Sequence, residues 1–219
     1  MAHIISNILI GFSNFPFFAI LFTLPIMVVP VLHYKKLNLV RIGMNYLFLL
    51  YILCLFALVF LPLPDLKQMG ALNSYDVQAV PFMFVADIIR ESPFVWNQPS
   101  TYVAALTDNA IWQVIFNIAM TIPFGMFLSY YCGCSKKKVV IFTALLSLAI
   151  EVTQLTGFFF IFNGSYRLCD VDDLMANTCG GFLGAVIVNQ LRGVLPAINR
   201  FDLEIAHTAK AQKVLNQST

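Results

Sequence analysis

A carboxylate lies inside an apolar segment of this chain that is long enough to cross a lipid bilayer. Glu151 falls near the middle of residues 139–162, where an ionisable side chain costs roughly 2.5–3.5 kcal/mol on insertion scales. Acids at such a depth usually face a helix-bundle interior or a water-filled cavity, and they mark functional sites. Glu151 is therefore the first candidate, as a ligand-binding carboxylate, a proton-binding group or a catalytic general base.

Further polar side chains recur at helical spacing in this segment and in the apolar segment before it. The segment that contains Glu151 carries Thr143, Ser147, Glu151 and Gln154. The segment before it carries Asn109, Gln113, Asn117 and Thr121. Intervals of three or four residues keep side chains on one face of a helix. We expect these faces to meet, with Glu151 hydrogen-bonded by Asn117, Gln154 or Asn177. Pairing of Glu151 with Arg167 is the alternative, and the sequence leaves both open.

Residues 167–173 (RLCDVDD) form the densest charge cluster next to an apolar segment. Asp172 or Asp173 can cap the helix that follows and complement its dipole. Capping does not account for three acids and an arginine together. Two functional interpretations remain, namely an anion contact through Arg167 and a divalent metal ion held by Asp170, Asp172 and Asp173. No other cofactor is expected.

The elements that position these residues are predicted to be transmembrane helices. The chain has 219 residues, of which 59% are hydrophobic and 11% charged, and its mean hydropathy is +0.80. Soluble domains carry about 25% charged residues. Five apolar runs are near or above the roughly 20 residues that a membrane-spanning helix needs: 8–32, 42–63, 110–131, 139–162 and 174–191. The sequence thus predicts an all-α polytopic bundle. The net charge of +2 and the lack of a basic patch exclude nucleic acid as a partner.

The distribution of lysine and arginine predicts the orientation of the bundle. With five alternating spans, most of these residues fall on one side, which is expected to be cytoplasmic, so the N-terminus lies outside and the C-terminus inside. The long connection 64–109 then faces outward, and its apolar part 77–89 is too short to span, which favours an interfacial or re-entrant segment. We predict a single membrane domain over residues 1–195 and a cytoplasmic polar tail over 196–219. Gly180 and Gly184 form a GxxxG motif, typical of close helix packing.

The order of these motifs resembles the VanZ-like family. The resemblance rests on Val80-Pro81-Phe82, Asn117 with Pro123-Phe124-Gly125, Glu151-Val-Thr-Gln154, Arg167, Asp170-Val-Asp172-Asp173, and Asn177-Thr178-Cys-Gly180-Gly181 with Gly184. It covers roughly residues 43 to 192. It implies a multi-pass protein of the bacterial cytoplasmic (inner) membrane, from a family known for low-level resistance to teicoplanin-type glycopeptides. It implies no settled reaction.

Three functions compete on this evidence. The leading hypothesis is an outward-facing polar pocket that binds an amphipathic ligand, either a lipoglycopeptide or a lipid-linked envelope precursor. Its candidate residues are Asn117, Glu151, Gln154, Arg167, Asp170, Asp172, Asp173 and Asn177. The second is an intramembrane enzyme with Glu151 as general base, although no HExxH, Ser/His or P-loop motif is present. The third is a proton-coupled lipid transporter or flippase, for which a homodimer could supply the missing symmetry.

Overall fold

Five long apolar helices dominate the structure, a computed structural model that describes residues 2–61, 63, 75–91, 97–98, 101, 109–162, 164–165 and 167–204. The helices are α1 (Ala2–Tyr34), α2 (Leu39–Phe60), α3 (Met83–Glu91), α4 (Asn109–Tyr130), α5 (Lys136–Leu155) and α6 (Val171–Gln190). All but the short α3 are long and apolar enough to cross a membrane. The predicted all-α polytopic membrane fold is confirmed.

Short elements complete the described residues. Four two-residue strands are β1 (Lys36–Leu37), β2 (Val77–Gln78), β3 (Cys169–Asp170) and β4 (Leu203–Glu204), and two 3-10 turns cover Leu191–Gly193 and Ile198–Phe201. β1 pairs antiparallel with β4, and β2 pairs parallel with β3. The chain divides into two compact units, residues 1–62 with 191–219 and residues 63–190.

In the first unit, α1 packs along α2. The Asn7 side chain donates to the Leu61 carbonyl at 2.9 Å, and Gly11 lies so close to α2 that a Cβ there would be 2.8 Å from the Cα of Cys54. Asn38 caps α2 by accepting from the Arg41 backbone N–H at 3.0 Å. These contacts fix the two helices of this unit as an antiparallel pair joined by β1.

A partly buried ion pair holds the residues after α6 against α2 within this unit. The Arg41 guanidinium lies 3.3 Å from Asp202 and stacks on the Tyr34 ring, 3.7 Å from its centroid. The Asn38 amide donates to Asp202 at 2.6 Å and to the Ile198 carbonyl at 2.8 Å. Hydrogen bonding by Asn38, together with Arg41, lowers the pKa of Asp202.

In the second unit, glycines of α6 let it pack against the backbone of α4 and against the Thr143 side chain of α5. A Cβ at Gly180 would lie 2.1 Å from the Ile118 carbonyl oxygen of α4, and one at Gly184 would lie 2.3 Å from that of Ile122. A Cβ at Gly181 would lie 2.1 Å from the Thr143 hydroxyl of α5. No side chain fits at these crossings, which confirms the close packing predicted from the GxxxG motif.

The fourth span is shorter than its apolar run predicts. α5 ends at Leu155, and Gly157 adopts a φ of +59° with the Gly164 carbonyl 2.4 Å from where its Cβ would be. Phe158, Phe159 and Phe160 continue in the left-handed region, with φ of 58°, 58° and 66°. This backbone cannot prolong a right-handed helix, so the aromatic residues form a turn. Glu151 therefore lies four residues, or about 6 Å, from the end of its helix, and not near the middle as expected.

Candidate functional site

The site is built around Glu151, which is 4% exposed. Its Oε2 accepts a hydrogen bond from the Asp170 backbone N–H at 3.0 Å, and the Cys169 thiol is a second partner. These contacts join the last turns of α5 to β3, directly before α6. Burial, followed by the negative charge of Glu151, raises the pKa of the Cys169 thiol.

Two of the donors expected for Glu151 bind elsewhere. The Asn117 amide donates to Asp173, and the Asn177 amide donates to Ser147 at 2.9 Å. Gln154 is buried, and its backbone carbonyl accepts from the Ser165 hydroxyl at 3.4 Å. The cause is the position of Glu151 near the end of its helix, which places it level with the backbone of β3.

Part of the long predicted outer connection is fastened to β3. β2 pairs with β3 in register, and the Cys169 N–H donates to the Asp76 carbonyl at 3.0 Å. The Gln78 amide donates to the Asp170 carboxylate at 3.2 Å. Burial raises the pKa of Asp170. The hydrogen bond from the Asp172 N–H lowers that pKa in part, whereas the negative charge of Asp172 raises it further.

Two acids separated by one residue, Asp170 and Asp172, each accept hydrogen bonds from backbone N–H groups at the start of a different helix. Asp170 accepts from the Asp172 N–H at 2.8 Å and so caps α6, which begins at Val171. Asp172 is buried, and its two oxygens accept from the backbone N–H groups of Phe82 at 2.6 Å and Phe84 at 3.0 Å. The side chain that caps the fifth span is therefore Asp170 and not Asp172 or Asp173. The helix starts three residues earlier than predicted, which moves those two acids into its first turn.

Asp173 of α6 accepts hydrogen bonds from the polar face of α4. The amides of Gln113 and Asn117 both donate to its carboxylate, the first at 3.2 Å. One turn further along α6, the Thr121 hydroxyl donates to the Asn177 backbone carbonyl at 2.8 Å. The predicted meeting of the polar faces of α4, α5 and α6 is therefore present, with Asp173 and Asn177 as the residues where they meet.

The three aspartates do not converge on one point. Each accepts from its own set of neutral donors, and among the described residues no three His, Cys, Asp or Glu side chains are placed to hold a metal ion. Arg167 is exposed, and its carbonyl accepts from the Ser165 hydroxyl. The contacts described for Glu151 come from Asp170 and Cys169.

Sequence reasoning missed the partners that come from the outer connection. Gln78 and the backbone N–H groups of Phe82 and Phe84 reach the site across about 90 residues of chain. The pattern Val80-Pro81-Phe82 signalled that this segment matters, but a backbone donor has no side-chain signature. The Cys169 thiol, a further partner of Glu151, has no cysteine motif around it in the sequence.

A family model described as VanZ/LLP1 matches residues 48–192. The chain belongs to the VanZ-like family. Neither the curated proteins nor the solved structures show a significant match. In this VanZ-like membrane protein the matched residues include α3 to α6 and every candidate site residue, whereas α1 and the residues after Arg192 lie outside the match.

Proposed function

We propose that this VanZ-like protein binds an amphipathic ligand at the acidic group formed by Glu151, Asp170, Asp172 and Asp173. The ligand would be a teicoplanin-type lipoglycopeptide or a lipid-linked envelope precursor, and binding would contribute to glycopeptide resistance at the bacterial cytoplasmic membrane. The observation that carries the proposal is that the side-chain and backbone donors described for these four carboxyls are neutral groups. So held, the half-buried carboxyls of Asp170 and Asp173 retain the capacity to accept hydrogen bonds from a polar head.

Exposure divides the site into groups that a ligand can reach and groups that hold them. Gln113 and Arg167 are exposed, and Asn117, Asp170 and Asp173 are half-buried. Their side chains are the ones we assign to ligand contact. Glu151 and Asp172, at 4% and 5% exposure, are instead positioning residues. Glu151 accepts from the Asp170 backbone N–H, and Asp172 accepts from those of Phe82 and Phe84.

An apolar surface adjoins the reachable side of this group. Trp112 and Phe116 lie on either side of Gln113 in the sequence of α4, and their ring centroids are 5.6 Å apart. Both side chains are at least 40% exposed. Aromatic side chains at this level suit the boundary between headgroups and acyl chains. An apolar tail lying along α4 would keep a polar head beside Asp173, which matches a ligand with both parts.

Cells that express the protein provide the test. Asp173→Asn removes the charge that Gln113 and Asn117 flank, and Arg167→Ala removes the exposed cation. Both variants are expected to lower the protective effect against a teicoplanin-type lipoglycopeptide at equal membrane abundance. Asp87→Asn is the control for loss of a neighbouring charge, because Asp87 acts on Asp170 through its charge but makes none of the contacts described at Asp173. Full protection by both site variants would reject the proposal.

Proton-coupled lipid transport is the second candidate function, favoured by one observation. Buried polar side chains continue inward from Glu151, with Ser147 and Asn177 each 1% exposed. A polar interior at that depth suits a proton-binding carboxyl. Flux of a labelled lipid in proteoliposomes should then respond to a pH gradient and be lost in Glu151→Gln. Lipid flux that is independent of the pH gradient and unchanged in Glu151→Gln would rule out this function.

A further inference from the structure

Among the described residues of the second unit, one buried side-chain oxygen has no hydrogen-bond partner. Asn177 is 1% exposed, and its amide Nδ2 donates to the Ser147 hydroxyl oxygen at 2.9 Å. Its Oδ1 is buried and has no donor among the described residues. An unpaired amide oxygen costs several kcal/mol in an apolar medium, and within a bilayer no bulk water is available to relieve it.

The Asn177–Ser147 pair also has an unused hydrogen-bond donor among the described residues. Ser147 Oγ accepts the amide bond, and its own hydroxyl proton has no acceptor among the residues that the structure describes. The neighbouring hydroxyls are already engaged: Thr121 donates to the Asn177 backbone carbonyl at 2.8 Å, and Thr143 donates to the Val139 carbonyl at 2.8 Å. One acceptor and one donor therefore remain, side by side, between α5 and α6.

The result does not depend on which way the amide is turned. If Oδ1 faced Ser147 instead, the serine hydroxyl would donate to it and Nδ2 would lose its partner. In either orientation, one group that donates and one that accepts are left over. The occupant must therefore be small, neutral, and able both to donate and to accept a hydrogen bond.

We propose that Asn177 and Ser147 bind an ordered water molecule in the membrane interior, one helical turn inward of Asp173 and Glu151. The water donates to Oδ1 of Asn177 and accepts from the Ser147 hydroxyl, which closes a ring of three hydrogen bonds with the amide. Buried waters in proteins typically make about three such bonds to polar groups that would otherwise be unpaired. This site requires no external ligand and stands apart from the proposed binding function.

The water also explains why polar residues persist at this depth. Gly180 and Gly181 lie about one helical turn further along α6 and bring the three helices into contact there. The hydrated pair links α5 to α6 directly beneath the two acids. It would hold the ends of these helices in register, and with them the contact from Glu151 to β3.

Water-edited solid-state NMR on the wild-type protein, reconstituted in synthetic lipid with ¹³C-labelled asparagine and no added antibiotic, tests the site. At short mixing times, water protons should polarise the side-chain carbonyl carbon of Asn177 about as fast as that of the exposed Asn199. Asn38 is the matched control, since it is equally buried at 2% exposure but has its donors and acceptor filled by protein. Its signal should rise several-fold more slowly. An Asn177 signal as slow as that of Asn38 overturns the proposal.

Thermal unfolding of Asn177→Leu gives an independent result. If water completes the ring, leucine removes the two hydrogen bonds that Asn177 makes in it, and the Tm falls. If Oδ1 is unpaired, a leucine of similar volume relieves a buried polar atom and the Tm rises, which would also overturn the proposal. Ser147→Ala should lower the Tm in the same direction, because it opens the same ring.

Discussion

Replacing Gly180 by alanine should separate α6 from α4 and destabilise the second unit. The new Cβ would lie 2.1 Å from the Ile118 carbonyl oxygen and 2.2 Å from the Thr121 hydroxyl, whereas ordinary contact begins at 3.4 Å. The carbonyl is backbone, so the helices must move apart by about 1.3 Å. That shift also breaks the 2.8 Å bond from Thr121 to Asn177.

The two effects add to a measurable loss of stability. Overpacking of this kind costs about 1–3 kcal/mol, and the lost hydrogen bond adds roughly 0.5–1.5 kcal/mol. For a chain of this length, each kcal/mol corresponds to about 2–4 °C, so we expect the Tm to fall by roughly 3–18 °C.

Thermal unfolding in lipid nanodiscs measures this, with Gly43→Ala as the matched control. Gly43 also lies in a helix, but no atom is within 4 Å of where its Cβ would be. Alanine there should leave the Tm unchanged or raise it slightly, since alanine is the better helix former. A Gly180→Ala protein as stable as the wild type would show that α4 and α6 do not meet at this glycine.

Two further predictions concern the loops that the acids hold. Asp172→Ala removes the acceptor of the Phe82 and Phe84 N–H groups. Amide hydrogen exchange at Phe84 should therefore accelerate by roughly 10–100-fold, as expected for loss of a charged acceptor. Unchanged exchange would mean that Asp172 does not hold α3. Asp202→Asn should cost about 1.5–3 kcal/mol, because it removes the charge that faces the buried Arg41. The pKa of Asp202 is lowered in the folded state, so its contribution is complete above the unfolded value of about 3.9 and is lost as the pH falls through the folded value. Chemical unfolding at several pH values should show that acid loss in the wild type and not in the variant.

The helices could be predicted from the sequence because their signals are local. Long apolar runs specify spans, and polar residues at intervals of three or four predict that Ser147 and Asn117 lie on facing surfaces. The GxxxG motif likewise predicted a close approach, since small residues are the only ones that permit it.

The partners within the site could not be predicted, because they depend on where helices end. The run of aromatics after Leu155 looks as apolar as the span before it, and only the left-handed backbone from Gly157 onward ends the helix there. That boundary moves Glu151 to the level of β3 and gives it a backbone donor at Asp170. The contacts of Asp172 with α3 join segments about 90 residues apart, a separation across which hydrophobic patterning carries no information.

Equilibrium binding of a fluorescent teicoplanin-type lipoglycopeptide to the purified protein in nanodiscs tests the central claim most directly. The claim is that the carboxyl group at the outer end of α6 forms the ligand's polar contact. Asp173→Asn should weaken binding by roughly 10–100-fold, the cost of losing a charge-assisted hydrogen bond, while Asp87→Asn binds as the wild type does. Equal affinities for Asp173→Asn and the wild type would contradict the account.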